Sequence, residues 1–277
     1  MNVKKLGRLS LPYLIWMSAL VGIPLLMMVL LSFMDTSAYD FFNGTFTLEN
    51  WADLFARENV IILYNTFKYA IVATVLCFLI GYPMAYIVAR STFANKFVIM
   101  ILSIIPMWAN SLLRTRAIAN LLSSNSLLSN LLSRIGITFS LNLYGTDASV
   151  IIGLVLTFLP FMILPIYTVI EKMDESLIEA SADLGANPVR TFLKVTFPLS
   201  MKGVATGVIM VFLPCFSGFV VQDILGRGNA FVIGKQIATL YRSNLNFVMV
   251  LSLVILIIIF GSMILFNRVD KEGETLL

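Results

Sequence analysis

The sequence contains no histidine, and only 12% of its residues are charged. Without histidine, the chain lacks the usual material for histidine metal sites, for Ser-His-Asp catalysis and for histidine proton relays. The scarcity of charge, together with 59% hydrophobic residues and a positive mean hydropathy, excludes a soluble globular domain of ordinary composition. The composition therefore predicts a non-catalytic integral membrane protein.

Cysteine and net charge exclude little more. Cys77 and Cys215 both lie in apolar runs, where a small polarizable side chain simply packs, so they indicate neither a disulfide nor a compartment. The net charge of +4 comes from basic residues spread over several polar segments. A nucleic-acid-binding surface would gather them on one face, and the sequence does not predict one.

Long apolar runs dominate what is present. Windows of about 20 apolar residues, the length that crosses roughly 30 Å of hydrocarbon, predict six helical spans. These lie near residues 12–33, 66–89, 98–121, 148–170, 203–225 and 246–266. Unbroken runs such as Val248–Phe260 lack the alternation of a β-barrel strand. We expect an all-α integral membrane protein with a single transmembrane domain over residues 1–277.

The basic residues predict the orientation of these spans. Lys4, Lys5 and Arg8 precede an apolar run that is too long for a signal peptide, so we interpret it as an uncleaved first span. With the N-terminus inside, more Lys and Arg lie in the inner segments than in the outer ones, and the positive-inside rule then predicts cytoplasmic N- and C-termini. The inner residues are Lys4, Lys5, Arg8, Arg90, Lys96, Lys172, Arg190, Lys194, Lys202, Arg268 and Lys271, and the outer ones are Arg57, Arg134, Arg227, Lys235 and Arg242.

One inner segment, residues 171–202, has the sequence of two short capped helices, and we call it the polar hairpin. Asp174 or Ser176 suits the N-cap of the first helix, and Ser176 with Glu179 has capping-box spacing. Gly185 suits the left-handed position after that helix. Asn187-Pro188 predicts an N-cap and first residue for the second helix, which Pro198 is expected to end.

Both hairpin helices have an apolar face. Leu177, Ala180, Ser181 and Leu184 share one face of the first helix, and Val189, Phe192 and Leu193 share one face of the second. The small residues Ala180 and Ser181 permit a close backbone approach. A hairpin this short is not stable alone, so it either lies on the membrane interface or docks in a cleft of another protein.

At these residues the sequence resembles the EAA loop of ABC importer permeases: Glu179-Ala180-Ser181, then Gly185, then Val195 and Pro198. The family pattern has Ala at Ser181, Ile at Val195 and Leu at Phe197. The resemblance implies the type I ABC importer permease fold, with the loop acting as a coupling helix that inserts into a cytoplasmic ATPase subunit. It also implies coupling roles for seven residues: Glu179, Ala180, Ser181, Gly185, Ala186, Phe192 and Pro198.

A narrower resemblance, to the PotB-type permeases of spermidine/putrescine importers, covers nearly the full length. It rests on Gly81-Tyr82-Pro83, Pro106–Arg114, Leu159–Pro165 and Asp183-Leu184-Gly185-Ala186. It implies a multi-pass protein of the bacterial inner membrane that works with a PotC-type permease, two copies of an ATPase and an extracytoplasmic polyamine-binding protein. ATP and Mg would bind to the ATPase, and no cofactor to this chain.

A polyamine path requires carboxylates and aromatic faces. Asp223 is the acidic candidate, because ionisable groups in a membrane are costly, although an ion pair with Arg227 would explain it equally well. Trp108 beside Asn110 offers an aromatic face, with ordinary packing as the alternative, and Tyr82 is a weaker candidate.

Other polar and small residues in the spans predict structural roles. Arg114 and Arg116 would repel a polycation, so we expect them to cap helix ends, extend to the interface or pair with an acid. Prolines 83, 106, 160, 165 and 214 predict kinks. Gly203 and Gly207 have the small-xxx-small spacing of packed membrane helices, within this chain or against a partner.

A nucleotide site is not predicted. Residues 228–235 resemble a P-loop, but the spacing of the glycines is wrong and Gln236 replaces Ser or Thr. The remaining alternatives are an importer for another small solute, such as an inorganic anion or iron, an ion-driven secondary transporter, and a purely structural subunit. The secondary transporter would require inverted repeats and buried acids, and the structural subunit would not need a capped hairpin.

Overall fold

A computed structural model describes residues 3–35, 44–92, 95–123 and 143–274, most of which are helical. The helices are α1 (Val3–Ser32), α2 (Glu49–Asp53), α3 (Arg57–Arg90), α4 (Lys96–Trp108), α5 (Ser111–Leu122), α6 (Asp147–Glu171), α7 (Ser176–Asp183), α8 (Pro188–Thr191), α9 (Phe197–Ser217), α10 (Val220–Leu225), α11 (Ile233–Leu240) and α12 (Leu245–Glu274). A π-helical turn, Phe192–Thr196, joins α8 to α9. The strands β1 (Met34–Asp35) and β2 (Thr45–Phe46) form a short antiparallel pair.

The helices long and apolar enough to cross a membrane agree with the six predicted spans. In the described part of the chain they are Pro12–Ser32, Arg57–Arg90, Asp147–Glu171, Pro188–Ser217 and Leu245–Ile264, with α4 and α5 together as a sixth. The all-α membrane prediction is therefore confirmed, with five continuous spans and the bent pair α4–α5 at the place of the predicted third span. Two spans differ from their predicted form, because one is broken in the middle and another ends early.

The third predicted span, residues 98–121, is not one continuous helix, because α4 and α5 meet at an angle of 96°. Ala109 and Asn110 have extended backbone between the two helices. The Asn110 side chain accepts a hydrogen bond from the N–H of Leu112 at 2.9 Å, which makes it the N-cap of α5. Arg114 Nη1 donates to the carbonyl of Pro106 at 2.8 Å, so the predicted helix-end role of Arg114 is confirmed.

The fifth predicted span, residues 203–225, also ends differently. Helix α9 stops at Ser217, and a separate short helix, α10, begins at Val220. The amide of buried Gln222 donates to the carbonyl of Cys215 at 3.0 Å. This bond satisfies a backbone acceptor that the end of α9 leaves unpaired, and inside a membrane such a group requires a partner.

The chain groups by its contacts into two compact units, residues 1–61 with 236–258 and residues 62–235 with 259–277. In the first unit Phe33 stacks between Phe46 and Trp51, with ring centroids 6.0 and 5.6 Å apart. The Gln236 amide donates there to Asn59 Oδ1 at 2.7 Å.

Helices α6 and α9 form the centre of the second unit. A Cβ on Gly203 would lie 2.8 Å from the carbonyl oxygen of Pro165, and one on Gly207 would lie 2.8 Å from Met162 Sδ. Both glycines therefore let the two helices approach closely. The predicted small-xxx-small motif packs against a helix of the same chain.

Candidate functional site

The polar hairpin begins with the side chain of Asp174. Its Oδ1 accepts the N–H of Ser176, the first residue of α7, at 3.0 Å. This backbone hydrogen bond lowers the pKa of the Asp174 carboxyl below its usual value. Asp174 therefore caps the first N–H of α7 with its side chain, but it lies one residue before the N-cap, the position predicted for it. The alternative capping box of Ser176 with Glu179 is wrong, because Ser176 lies inside the helix and Glu175 holds the N-cap position.

Helix α7 ends at a glycine in the left-handed region, as predicted. Gly185 has φ +77°, and its N–H donates to the carbonyl of Ala182 at 2.8 Å. The next N–H, of Ala186, donates to the carbonyl of Ser181 at 3.0 Å. These two bonds form a Schellman motif, which satisfies the last carbonyls of α7 and reverses the chain.

The second helix, α8, begins at Pro188, five residues after α7 ends at Asp183. Asn187 Oδ1 accepts the N–H of Arg190 at 2.8 Å, and Pro188 occupies the first helical turn, as predicted. The hydroxyl oxygens of Ser181 and Thr191 lie 2.8 Å apart and join α7 to α8. Local capping and this hydroxyl pair together define the fold of the hairpin.

Pro198 does not end the second helix, which corrects the prediction. The helix continues through the π-helical turn into α9, forming one span from Pro188 to Ser217. The N–H of Phe197 bonds to the carbonyl of Phe192, five residues back. Such a turn is wider than an α-helical one and provides room for the proline ring beside the preceding turn.

The hairpin presents apolar side chains that nothing in the described chain covers. Four of them belong to Leu177, Leu184, Val189 and Leu193, and Leu184 is 89% exposed. Of the residues that resemble the coupling loop, Glu179, Ala180, Gly185 and Pro198 are exposed, and Ser181, Ala186 and Phe192 are half-buried. This apolar surface on a polar segment is suited to a protein partner.

Phe192 is half-buried because it belongs to an aromatic cluster between the hairpin and α3. Its ring centroid lies 5.8 Å from that of Tyr82 and 5.3 Å from that of Tyr86. Phe197 lies 5.5 Å from Tyr82 on the other side of the π-helical turn. Tyr82 is only 5% exposed, so its ring packs helices together and does not line an open path.

Sequence reasoning missed the roles of Tyr86, Thr191, Phe197 and Ser200 in this junction. The spacing of Tyr82 and Tyr86 is helical and was a usable signal. Phe192 and Phe197 are five residues apart, a spacing that brings two side chains to one face only across a π-helical turn.

Trp108 lies at the end of α4, where the third span breaks, and its side chain is 88% exposed. Its neighbour Asn110 caps α5. The break therefore places an exposed indole beside the carbonyl end of one helix and the N–H end of another. Broken helices of this kind form solute sites in other membrane transporters.

Asp223 is paired, though not with Arg227. Its Oδ1 lies 2.8 Å from Lys235 Nζ, whereas the Arg227 guanidinium lies 5.4 Å from the centroid of the Tyr144 ring. Lys235 Nζ also donates to the carbonyl of Gly228 at 2.5 Å. The alternative of an Asp223–Arg227 ion pair is thus wrong, because the turn at residues 226–232 brings Lys235 back to the carboxylate.

Metal ligands do not cluster in the described residues, where no group of three His, Cys, Asp or Glu side chains is placed to hold an ion. Cys77 and Cys215 are both buried free thiols.

Comparison with known proteins agrees with this architecture. Residues 78–272 match the family described as "Binding-protein-dependent transport system inner membrane component". The spermidine/putrescine transport system permease proteins PotB of Haemophilus influenzae and Escherichia coli K12 are 34% and 31% identical, over 83% and 93% of this chain and 81% and 98% of their own lengths.

A solved structure shares the fold at low identity. It is a bacterial alginate ABC transporter in complex with an alginate pentasaccharide-bound periplasmic protein, and a chain of it superimposes with a TM-score of 0.75. The identity is 14%, and the match covers 96% of this chain and 94% of that one. The fold is therefore that of a type I ABC importer permease, as predicted. With the capped hairpin and the broken third span, these similarities establish that the chain belongs to the family of binding-protein-dependent inner-membrane transport components, in the branch of the PotB-type permeases.

Proposed function

We propose that this chain is the permease subunit of an ABC importer that moves polyamines such as spermidine and putrescine into the cytoplasm. The substrate class is supported by the PotB relatives, which are named as components of spermidine/putrescine transport systems. The mode of action is supported by one observation above all, the capped polar hairpin that exposes Leu177, Leu184, Val189 and Leu193. A solute channel or secondary transporter has no need of such a surface.

The hairpin is proposed to dock in a groove of a cytoplasmic ATPase subunit. ATP and Mg would bind to that subunit, and two copies of it would drive the transporter. Closure of the ATPases would then move α7 and α8. Because α8 continues through the π-helical turn into α9 without a break, this movement would pass directly to a membrane span.

The remaining partners and the orientation follow from the same proposal. A PotC-type permease would form the other half of the solute path, and an extracytoplasmic binding protein would deliver the polyamine. An ATPase-docking hairpin must lie in the cytoplasm. With four spans before the hairpin, counting the bent pair α4–α5 as one, and two spans after it, this orientation puts both termini of the chain in the cytoplasm, in agreement with the excess of Lys and Arg in the inner segments.

The break in the third span is the proposed contact with the solute. The exposed indole of Trp108 offers a cation–π face to an ammonium group, whereas the carbonyl of Pro106 near the end of α4 is already bonded to Arg114. Asn110 would act by holding the break open as the cap of α5. Asp223 would contact the solute only where an ammonium group of the polyamine replaced Lys235 as its ion partner. Buried Tyr82 would pack helices together and would not contact the solute.

The proposal is tested by reconstituting the chain in proteoliposomes with its ATPase, its partner permease and its binding protein. We expect ATP hydrolysis to rise when the binding protein carries spermidine or putrescine, and to stay at its basal rate with the unloaded protein. Stimulation by an inorganic anion or by iron, with none by polyamines, would reject the substrate class while leaving the importer mechanism in place.

A matched pair of tryptophans tests the solute contact. Trp108→Ala is expected to lower spermidine uptake by about tenfold, since loss of a desolvated cation–π contact is worth on the order of 1–2 kcal/mol. Trp16 is also exposed, on α1, and Trp16→Ala serves as the control. Equal uptake by the two variants would remove Trp108 from the path.

A further inference from the structure

A cleft with a volume of about 460 Å³ opens where the C-terminal part of α5 meets α10 and the segment just before α6. Its polar lining comes from Arg116, Asn120, Tyr144, Asp223 and Arg227. We call it the basic cleft. It lies at the N-terminal end of α6, and the polar hairpin follows the other end of that 25-residue helix. At 1.5 Å per residue the two surfaces are about 37 Å apart, at opposite ends of the span.

The basic cleft carries a surplus of positive charge. The single carboxylate in its lining, Asp223, is matched by Lys235 at 2.8 Å. Arg116 and Arg227 have no carboxylate within 4 Å among the described residues. The two guanidinium groups are therefore left to interact with a ligand from outside.

Arg227 is held in place by its surroundings. It is the one described residue other than glycine with positive φ, at +51°, and Gly228 follows it at +79°. Its guanidinium lies over the Tyr144 ring, and its side chain passes so close to Gly145 that a Cβ there would lie 2.8 Å from Arg227 Cδ. A strained conformation that neighbouring contacts enforce is typical of a binding surface.

We propose that the basic cleft receives an acidic side chain of the extracytoplasmic binding protein and so docks that protein on the permease. This inference rests on the proposed function. Guanidinium groups bind carboxylates with paired hydrogen bonds, and Asn120 adds an amide that suits the rim of such a contact. Two unmatched guanidinium groups attract an acidic partner and repel a polycation, so Arg116 and Arg227 suit a carboxylate better than they suit the solute.

The lining favours a protein over a lipid headgroup. Among the described residues only Ala119 and Ile224 contribute apolar side chains to it, so the cleft itself offers little surface to an acyl chain. Its place at the end of the span opposite the hairpin is the outer surface in the proposed orientation.

The test measures the affinity of the solute-loaded binding protein for the complete transporter in nanodiscs, at low and at high salt. Arg116→Glu and Arg227→Glu are each expected to raise Kd by about tenfold at low salt, with a flatter salt dependence than the unchanged protein. Arg242→Glu, an exposed arginine of the segment between α11 and α12, is the control and keeps the original Kd. Arg116 is exposed on α5, so Arg116→Gln provides a second variant that does not threaten folding. Its Kd is expected to rise by a smaller factor.

Several results would overturn the inference. One is an unchanged Kd in all three cleft variants whose thermal unfolding matches that of the original protein. Another is stabilisation by inorganic phosphate that Arg116→Gln abolishes while Kd stays unchanged, which would identify a small-anion site. A third is loss of bound anionic lipid with unchanged Kd, which would identify a headgroup site. Spermidine uptake is measured separately. If the substrate proposal fails, a Kd of the binding protein that depends on the charge at Arg116 and Arg227 would still support docking at the basic cleft.

Discussion

The hydroxyl oxygen of Tyr82 lies 2.8 Å from the hydroxyl oxygen of Ser200 and joins α3 to α9 just after the polar hairpin. Ser200 Oγ also lies 2.8 Å from the carbonyl oxygen of Phe197, to which it donates. A serine hydroxyl has a single hydrogen, so Tyr82 must be the donor in the bond between the two side chains. Each residue therefore has a distinct role at this junction.

The two deletions at this junction should differ in cost. Ser200→Ala leaves the buried Tyr82 hydroxyl without an acceptor and is expected to lower the free energy of unfolding by about 1–3 kcal/mol. Tyr82→Phe removes the donor and leaves no buried group unpaired, so we expect about 0.5–1.5 kcal/mol. Detergent-induced unfolding in micelles measures both, with Ser217→Ala as the control because Ser217 bonds only to its own helix. A larger loss for Tyr82→Phe would contradict the donor assignment.

The same reasoning applies to the hydroxyl pair inside the polar hairpin. Ser181 donates to the carbonyl of Ile178, so Thr191 is the donor to Ser181. Ser181→Ala leaves the buried Thr191 hydroxyl without its partner side chain and should cost about 1 kcal/mol, whereas adding Thr191→Val should recover most of that loss. A double-mutant cycle on thermal unfolding measures the coupling, and simple additivity would mean that the pair contributes nothing.

Gly185 is expected to tolerate a larger side chain but not a β-branched one, because of its left-handed backbone conformation. A Cβ there would meet no atom within 4 Å, so the cost of substitution comes from φ +77° alone. Gly185→Val should impair binding of the ATPase or uncouple hydrolysis from uptake, because a β-branched residue rarely adopts this φ. Gly185→Asn, which tolerates the left-handed region, is the matched control. Normal uptake by Gly185→Val would count against a coupling role for the hairpin.

The contact between α6 and α9 should be sensitive to a single methyl group. Gly203→Ala would place a Cβ 2.8 Å from a backbone oxygen, which forces the helices apart and should cost about 1–3 kcal/mol. Gly261→Ala, on α12, meets no atom within 4 Å and is expected to be neutral or slightly stabilising. Thermal unfolding of the two purified variants gives the comparison, and equal melting temperatures would show that the close approach is dispensable.

The polar hairpin was predictable almost residue by residue, because capping depends on neighbours in the chain. Asp174, Gly185 and Asn187 each bond within a few residues of themselves. Pro198 was misjudged because its environment depends on the π-helical turn, which in turn depends on the aromatic contacts of Tyr82 with Phe192 and Phe197. These contacts join residues more than a hundred positions apart.

The candidate solute residues were harder to interpret from the sequence. Trp108 was found by its residue type, but its exposure results from the 96° break between α4 and α5. Asp223 has an acceptable partner in Arg227 four residues later, and helical spacing favours that pair. The chain leaves its helix at Leu225, however, and the following turn brings Lys235 to the carboxylate.

The sequence by itself determined the membrane environment, the six apolar segments and the capped hairpin, since transfer free energy and capping act over one helix at a time. Only the tertiary structure decided where spans three and five break, which cation pairs with Asp223, and that Arg116 and Arg227 share one cleft. These features depend on which distant segments meet. Packing between helices, and the satisfaction of the backbone groups that each break exposes, select among arrangements that the local sequence allows equally.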